Sequence, residues 1–120
     1  MDITRTIAAL KKEPGFAENV GMVLIHHGVV RAWSRKDRSS VSHVDVAANE
    51  KKLAALCDEY SKKPGIYRII IEAQTGKLHL GDDLLFILVA GDIREHVKPV
   101  LAELLDRVKA EAVIKTEYPA

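Results

Sequence analysis

The sequence predicts an α+β domain, a largely antiparallel sheet with helices packed on it. Three observations lead there. Helix and strand signals come in the mixed order helix, two strands, helix, two or three strands, helix, strand, not in the regular alternation of a parallel-sheet protein. Leu84 to Ala90 is apolar at every position, which suits a strand covered on both faces. A chain of 120 residues with 48% hydrophobic content supplies one core, so residues 1–120 read as a single domain, with 1–15 as an accessory N-terminal helix.

Each element has a local cause. Asp2 or Thr4 can cap a first helix that carries Ile3, Ile7 and Leu10 on one face and ends at Pro14-Gly15. Gly21 to Arg31 is β-rich and should form a long strand bent near His26-His27-Gly28. A polar, basic segment follows, ending in Ser39-Ser40, and Val41 to Val46 then alternates as a second strand; these two strands are expected to pair as a hairpin. Asn49 can cap a helix presenting Leu53, Leu56, Cys57 and Tyr60, closed by Pro64-Gly65, with Cys57 expected in the core. Ile66 to Ala73 is a further strand, and Gly76 and Gly81 bracket a short extended piece before the Leu84–Ala90 run. Asp92 and Glu95 fit a capping box for the last helix, whose stripe is Val97, Val100, Leu101, Leu104, Leu105 and Val108. Pro99 falls past its first turn and is expected to kink it or move its start. A final strand, Ala112 to Thr116, carries Lys115.

Composition excludes several function classes. Eighteen Lys and Arg against seventeen Asp and Glu leave no global field to draw the chain to nucleic acid or an acidic membrane, so any anion site must be local. The single cysteine rules out an internal disulfide and a multi-cysteine metal site. With neither a signal-peptide start nor a membrane-length apolar run, a cytoplasmic protein is expected. The sequence holds no P-loop, no dinucleotide fingerprint and no Gly-x-Ser-x-Gly elbow, and no cofactor is expected. His26 and His27 are adjacent, so in a strand they point to opposite faces and cannot chelate one metal together; no metal site is predicted. His43, His79 and His96 stand isolated and read as surface residues.

The basic residues carry the chemistry. Arg31 stands at a strand end, Arg35 and Arg38 in the following loop, Arg94 at a helix start and Lys115 on the last strand. Guanidinium groups grip phosphate or carboxylate bidentately, and a lysine adds a mobile proton donor. At a helix start, free backbone N–H groups and the helix dipole favour a bound anion beside Arg94. The same residues also read as a solvated charged loop with unrelated surface bases.

Several patches, in order from Gly21 to Glu117, resemble the large, catalytic subunit of molybdopterin synthase. They are Gly28-Val29-Val30-Arg31, Ser40-Val41, Asn49 to Leu53, the Gly76-x-Leu78-x-x-Gly81-Asp82 turn before its long apolar strand, Arg94, and Ile114-Lys115-Thr116-Glu117. The resemblance implies an α/β-hammerhead fold and a homodimer. It also implies a partner, a small ubiquitin-like sulfur carrier with a Gly-Gly tail, whose thiocarboxylate supplies sulfur to cyclic pyranopterin monophosphate in molybdenum cofactor biosynthesis. By matching position, Arg31 and Arg94 would hold the substrate phosphate or the carrier's carboxyl end, and Lys115 would act on the transferring acyl–sulfur centre.

The chain departs from that pattern at four places. Ile93 stands where the family has histidine, Ile114 replaces tryptophan, and the segment from Val41 to Asn49 is shorter, with Asp45-Val46-Ala47 in place of Glu-x-Tyr. The family's tail continues to a second functional lysine and an acid beyond the Lys115 position, which predicts that a general acid/base and part of the pocket wall are lacking here. Enzymatic activity is therefore left open. Besides an active sulfurtransferase, the sequence allows an inactive module that binds carrier, pterin or anion, and a small anion-binding domain with an unrelated partner.

Overall fold

The computed structural model describes residues 1–120 as helices α1 (Ile3–Lys11), α2 (Phe16–Asn19), α3 (Glu50–Ser61) and α4 (Arg94–Glu111) and strands β1 (Met22–Val29), β2 (Val41–Ala48), β3 (Ile66–Ala73), β4 (Gly76–His79), β5 (Asp83–Gly91) and β6 (Val113–Pro119). The strands form two three-stranded antiparallel sheets, β1-β5-β3 and β4-β2-β6. The α+β class with an antiparallel arrangement holds.

β5 is central because it is apolar on both faces. Leu85, Ile87 and Val89 point into the main core with α3 and α4, while Leu88 and Ala90 point the other way, against Leu10 of α1. All five are at most 2% exposed, so α1 acts as the cover of the sheet's second face. Asp2 caps α1 by accepting from Arg5 N–H, and Asn49 caps α3 by accepting from Lys52 N–H, as their positions predict. Cys57 is half-buried beside the main core, with its thiol 3.5 Å from the Ile69 carbonyl oxygen.

The expected β1/β2 hairpin does not form. β1 pairs with β5 over its whole length, and β2 pairs with β4 and β6 in the other sheet. β5, buried on both faces, takes β1 and β3 at its two edges, which leaves β2 to pair with β4 and β6. β2 buries only Val41, Val44 and Val46, with a register irregularity between Val41 and His43 bringing them to one face, and so suits a sheet covered on one side. Its core is small, Val30, Val41, Val44, Val46 and Leu78. The expected bend in β1 appears as a register irregularity between Gly28 and Val29.

The capping box at the last helix also fails to form. Asp92 N–H donates to the Gly65 carbonyl (2.9 Å), which ties that residue to the sheet and leaves Ile93 as the cap, with extended φ −135° and ψ 158°. The Asp92 carboxylate instead accepts from Ile93 N–H (2.6 Å) and meets His96 Nδ1 (2.8 Å). Gly91 is required here, since a Cβ would lie 2.5 Å from the Gly65 carbonyl oxygen and 2.7 Å from Val97 Cγ2. Pro99 lies inside α4, which continues through it as one element.

The two sheets meet end to end. The radius of gyration, 15.5 Å, exceeds the roughly 13.6 Å expected of a compact chain this long, and the extents are 49 × 26 × 24 Å. Leu84 and Val113 touch both cores and form the seam. No helix is long and apolar enough to cross a membrane.

Candidate functional site

A cleft of about 780 Å³ opens at this seam. Its apolar wall is Leu84, Leu85, Val113 and Ile114, and its polar wall joins three elements: Arg31, Ser34, Arg35 and Lys36 from the loop between β1 and β2, Lys109 from the last turn of α4, and Lys115, Thr116 and Glu117 from β6. Five cations face one acid. On a chain of formal net charge +1, that is a strong local concentration of positive charge.

Strand register explains how Lys115 reaches the cleft. Lys115 lies opposite Val46, and Glu117 opposite Val44, so both share the inner face of the small sheet with its buried valines. Because β6 is the edge strand, their side chains run along that face and emerge at the rim, 33% and 26% exposed. Burial and the Arg31 guanidinium hold the Lys115 ammonium below its ordinary pKa; Lys109 and Arg35 push the same way, and Glu117 opposes them. The Glu117 carboxylate lies 4.0 Å from Lys115 Nζ and accepts from the Ser34 hydroxyl at 2.9 Å.

The loop is pinned by its own residues. Ser34 N–H donates to the Ser39 carbonyl, Arg38 N–H donates to the Ser34 carbonyl, and Asp37 accepts from both the N–H and the hydroxyl of Ser39. The Arg31 guanidinium lies 4.6 Å from the centre of the Trp33 ring and donates from Nε to the Trp33 carbonyl, while Arg38, at φ 65°, lies 4.2 Å from the same ring.

The structure thus brings Arg31, Arg35 and Lys115 together at one cleft and holds Arg38 on Trp33 beside it. Arg94 is elsewhere. It begins α4, whereas Lys109 in the cleft ends it, a separation of roughly 22 Å along the helix axis. Its side chain is 79% exposed, with Glu95 at 3.5 Å. Ile93 beside it is 48% exposed. Lys36, Lys109, Ser34 and Glu117 are functional candidates that sequence reasoning did not single out. Lys109 had a signal, since the chain reverses between Glu111 and Val113 and returns Lys115 to its side. Ser34 had none, because its partner is 83 residues away.

Comparison with known proteins agrees with this architecture. Residues 1–111 match the family model described as MoaE protein. The molybdopterin synthase of Staphylococcus aureus is 26% identical, with a TM-score of 0.72 over 84% of this chain and 76% of that one. The molybdopterin biosynthesis MoaE protein of Burkholderia ambifaria MC40-6 is 21% identical, with a TM-score of 0.75 over 100% of this chain and 81% of that one. A complex of subunits 1 and 2 of the molybdopterin-converting factor from Helicobacter pylori 26695 contains a chain 16% identical, with a TM-score of 0.73 over 99% of this chain and 80% of that one. At their lower identities the last two speak for the fold alone. No curated protein matches the sequence. With the family model spanning nearly the whole chain, this protein belongs to the MoaE protein family, and with it to molybdenum cofactor biosynthesis.

Proposed function

We propose that this chain is the catalytic subunit of a molybdopterin synthase, in which sulfur passes from the thiocarboxylate of a small carrier to cyclic pyranopterin monophosphate at the seam cleft. The observation that carries the reading is Lys115, its side chain one-third exposed, set among Arg31, Arg35 and Lys109 at the cleft. Arg31 and Arg35 offer bidentate donors to the substrate phosphate. Lys115, with its pKa lowered, keeps more of its amine neutral near neutral pH than a free lysine would, and can take up or return a proton at the acyl–sulfur centre. The two-subunit Helicobacter pylori complex supports a small-subunit partner.

The test mixes purified protein with thiocarboxylated carrier and cyclic pyranopterin monophosphate. Product should form, and Lys115→Ala should abolish it. No product above background, or full product with the variant, would sink the catalytic role.

A second reading has one observation behind it. Arg94 does not reach the cleft of its own chain, and Ile93 brings no imidazole to its side, which favours an inactive member that binds carrier or pterin. Capture of a Gly-Gly-tailed carrier without turnover would select it. We also propose a homodimer, since a second copy would be needed to bring Arg94 to this cleft. A monomer mass at micromolar concentration would remove both the dimer and Arg94's role.

A further inference from the structure

Ser34 is the one buried polar residue in the chain, 7% exposed, and each of its polar groups is engaged. Its N–H and carbonyl close the basic loop on Ser39 and Arg38, and its Oγ accepts a long bond from Lys36 N–H at 3.4 Å. Only one of its bonds leaves the loop. The hydroxyl donates to Glu117 Oε1 at 2.9 Å, joining the loop to β6. The other carboxylate oxygen, Oε2, stays 4.0 Å from Lys115 Nζ, beyond the roughly 2.8 Å of a charge-assisted hydrogen bond. Lysine and glutamate two residues apart on one strand face, both partly withdrawn from water, have every electrostatic reason to close that gap.

We propose that Ser34 is a positioning residue that holds the Glu117 carboxylate off Lys115 and so preserves Lys115 as the reactive amine of the cleft. The inference rests on the reading of Lys115 above. The charged groups facing Lys115 are Arg31 and Arg35 from the loop, Lys109 from α4 and Glu117 from its own strand. Burial and the three cations disfavour the ammonium; Glu117 alone favours it. Were the carboxylate free to swing into contact, that single opposing influence would grow and the neutral amine would become scarcer. The hydroxyl therefore acts on the lysine through the acid without touching it.

The experiment is competitive acylation of the intact protein with acetic anhydride across pH, read lysine by lysine by mass spectrometry, with exposed Lys51 as the internal reference. It needs no sulfur-transfer turnover, so failure of the proposed reaction and failure of this proposal are separate results. Ser34→Ala should slow Lys115 acylation roughly threefold at a fixed pH below its midpoint. Ser34→Thr, which keeps the hydroxyl, should restore the native profile. Glu117→Gln should make Lys115 faster than in the native protein, and adding Ser34→Ala to it should change nothing further. An unchanged Lys115 profile in folded Ser34→Ala, or an equal slowing in the Glu117→Gln background, overturns the proposal. Should Ser34→Ala not fold, Glu117→Gln and Ser34→Thr decide alone: native behaviour with threonine and faster labelling with glutamine support it, and any other pair of results overturns it.

Discussion

β5 of the β1-β5-β3 body has seven consecutive residues, Leu85 to Gly91, buried, whereas β2 of the smaller β4-β2-β6 sheet buries only Val41, Val44 and Val46. Twelve buried side chains form the main core of the body, and a separate five form that of the lobe. The body thus has ample apolar contact to hold a fixed frame, and the lobe has little to spare. Most of the candidate side chains stand on the second kind of structure, Lys115 and Glu117 on the lobe's edge strand and Arg31, Ser34 and Arg35 on the loop that links the two sheets, with Lys109 alone reaching in from α4 of the body. Precision at the cleft must then come from polar contacts such as Ser34–Glu117 and the Trp33 stack.

The largest expected effect breaks this comparison directly. Ile87→Ala, in the body, should destabilise the whole chain by about 3–4 kcal/mol, because a fully buried side chain is lost from a core that cannot collapse around it. Val44→Ala, in the lobe, should cost about 2 kcal/mol and loosen the lobe first. Urea unfolding combined with native-state hydrogen exchange separates the two. Equal loss of protection in β5 and β6 on Val44→Ala would mean that body and lobe are one cooperative unit.

The elements of both body and lobe were legible in the sequence, and the pairing of the strands was not. Asp2 and Asn49 cap where their side chains allow, and the Leu84–Ala90 run announces a strand covered on both faces whatever its neighbours are. Partner choice is different, because β1 and β2 follow one another yet each pairs with residues tens of positions away. Local spacing favoured a hairpin, and the greater burial available along β5 won. At the cleft, Arg31 and Lys115 could be picked out by residue type. Ser34 could not, since its buried hydroxyl has meaning only once β6 lies beside it. Asp92 carried a cap signal that its backbone bond to Gly65 displaced by one residue.

A smaller effect sharpens the contrast between cleft and helix start. Trp33 is the only tryptophan and lies against Arg31, so its fluorescence should report inorganic phosphate entering the cleft. Arg31→Ala should weaken that binding roughly tenfold, the loss of about one charge-assisted hydrogen bond. Arg94→Ala should leave it unchanged in the monomer. Equal weakening by both variants would mean that the two arginines serve one anion.

Smaller still is the cost of keeping Lys115 where it is. Its pKa is below the ordinary 10.5, so folding disfavours the ammonium. The cost is fully present at pH values below the lowered pKa, where folded and unfolded chains are both protonated, and it fades as pH rises from there towards 10.5. Lys115→Met should therefore stabilise the protein slightly at pH 7, and the gain should shrink by pH 10. A gain independent of pH would point to packing and not to charge.

The smallest effect belongs to the body's surface. Arg107 Nε donates to Glu111 at 2.7 Å and its Nη1 to Glu59 at 2.6 Å, with Lys52 at 3.1 Å from Glu111, so α3 and α4 are laced by an exposed charge network. Arg107 first, and then Lys52, hold the Glu111 carboxyl down at about 2, below its ordinary 4.5. A lowered carboxyl pKa stabilises the fold above 4.5, and that contribution is lost as pH falls through about 2. Glu111→Gln should therefore unfold more easily than the native chain at pH 7, match it near pH 2, and lose the gap at high salt, because the network is open to solvent. Acid unfolding curves that run parallel down to pH 2 would show that the network joins the helices without stabilising them, leaving the apolar core as the body's whole advantage over the lobe.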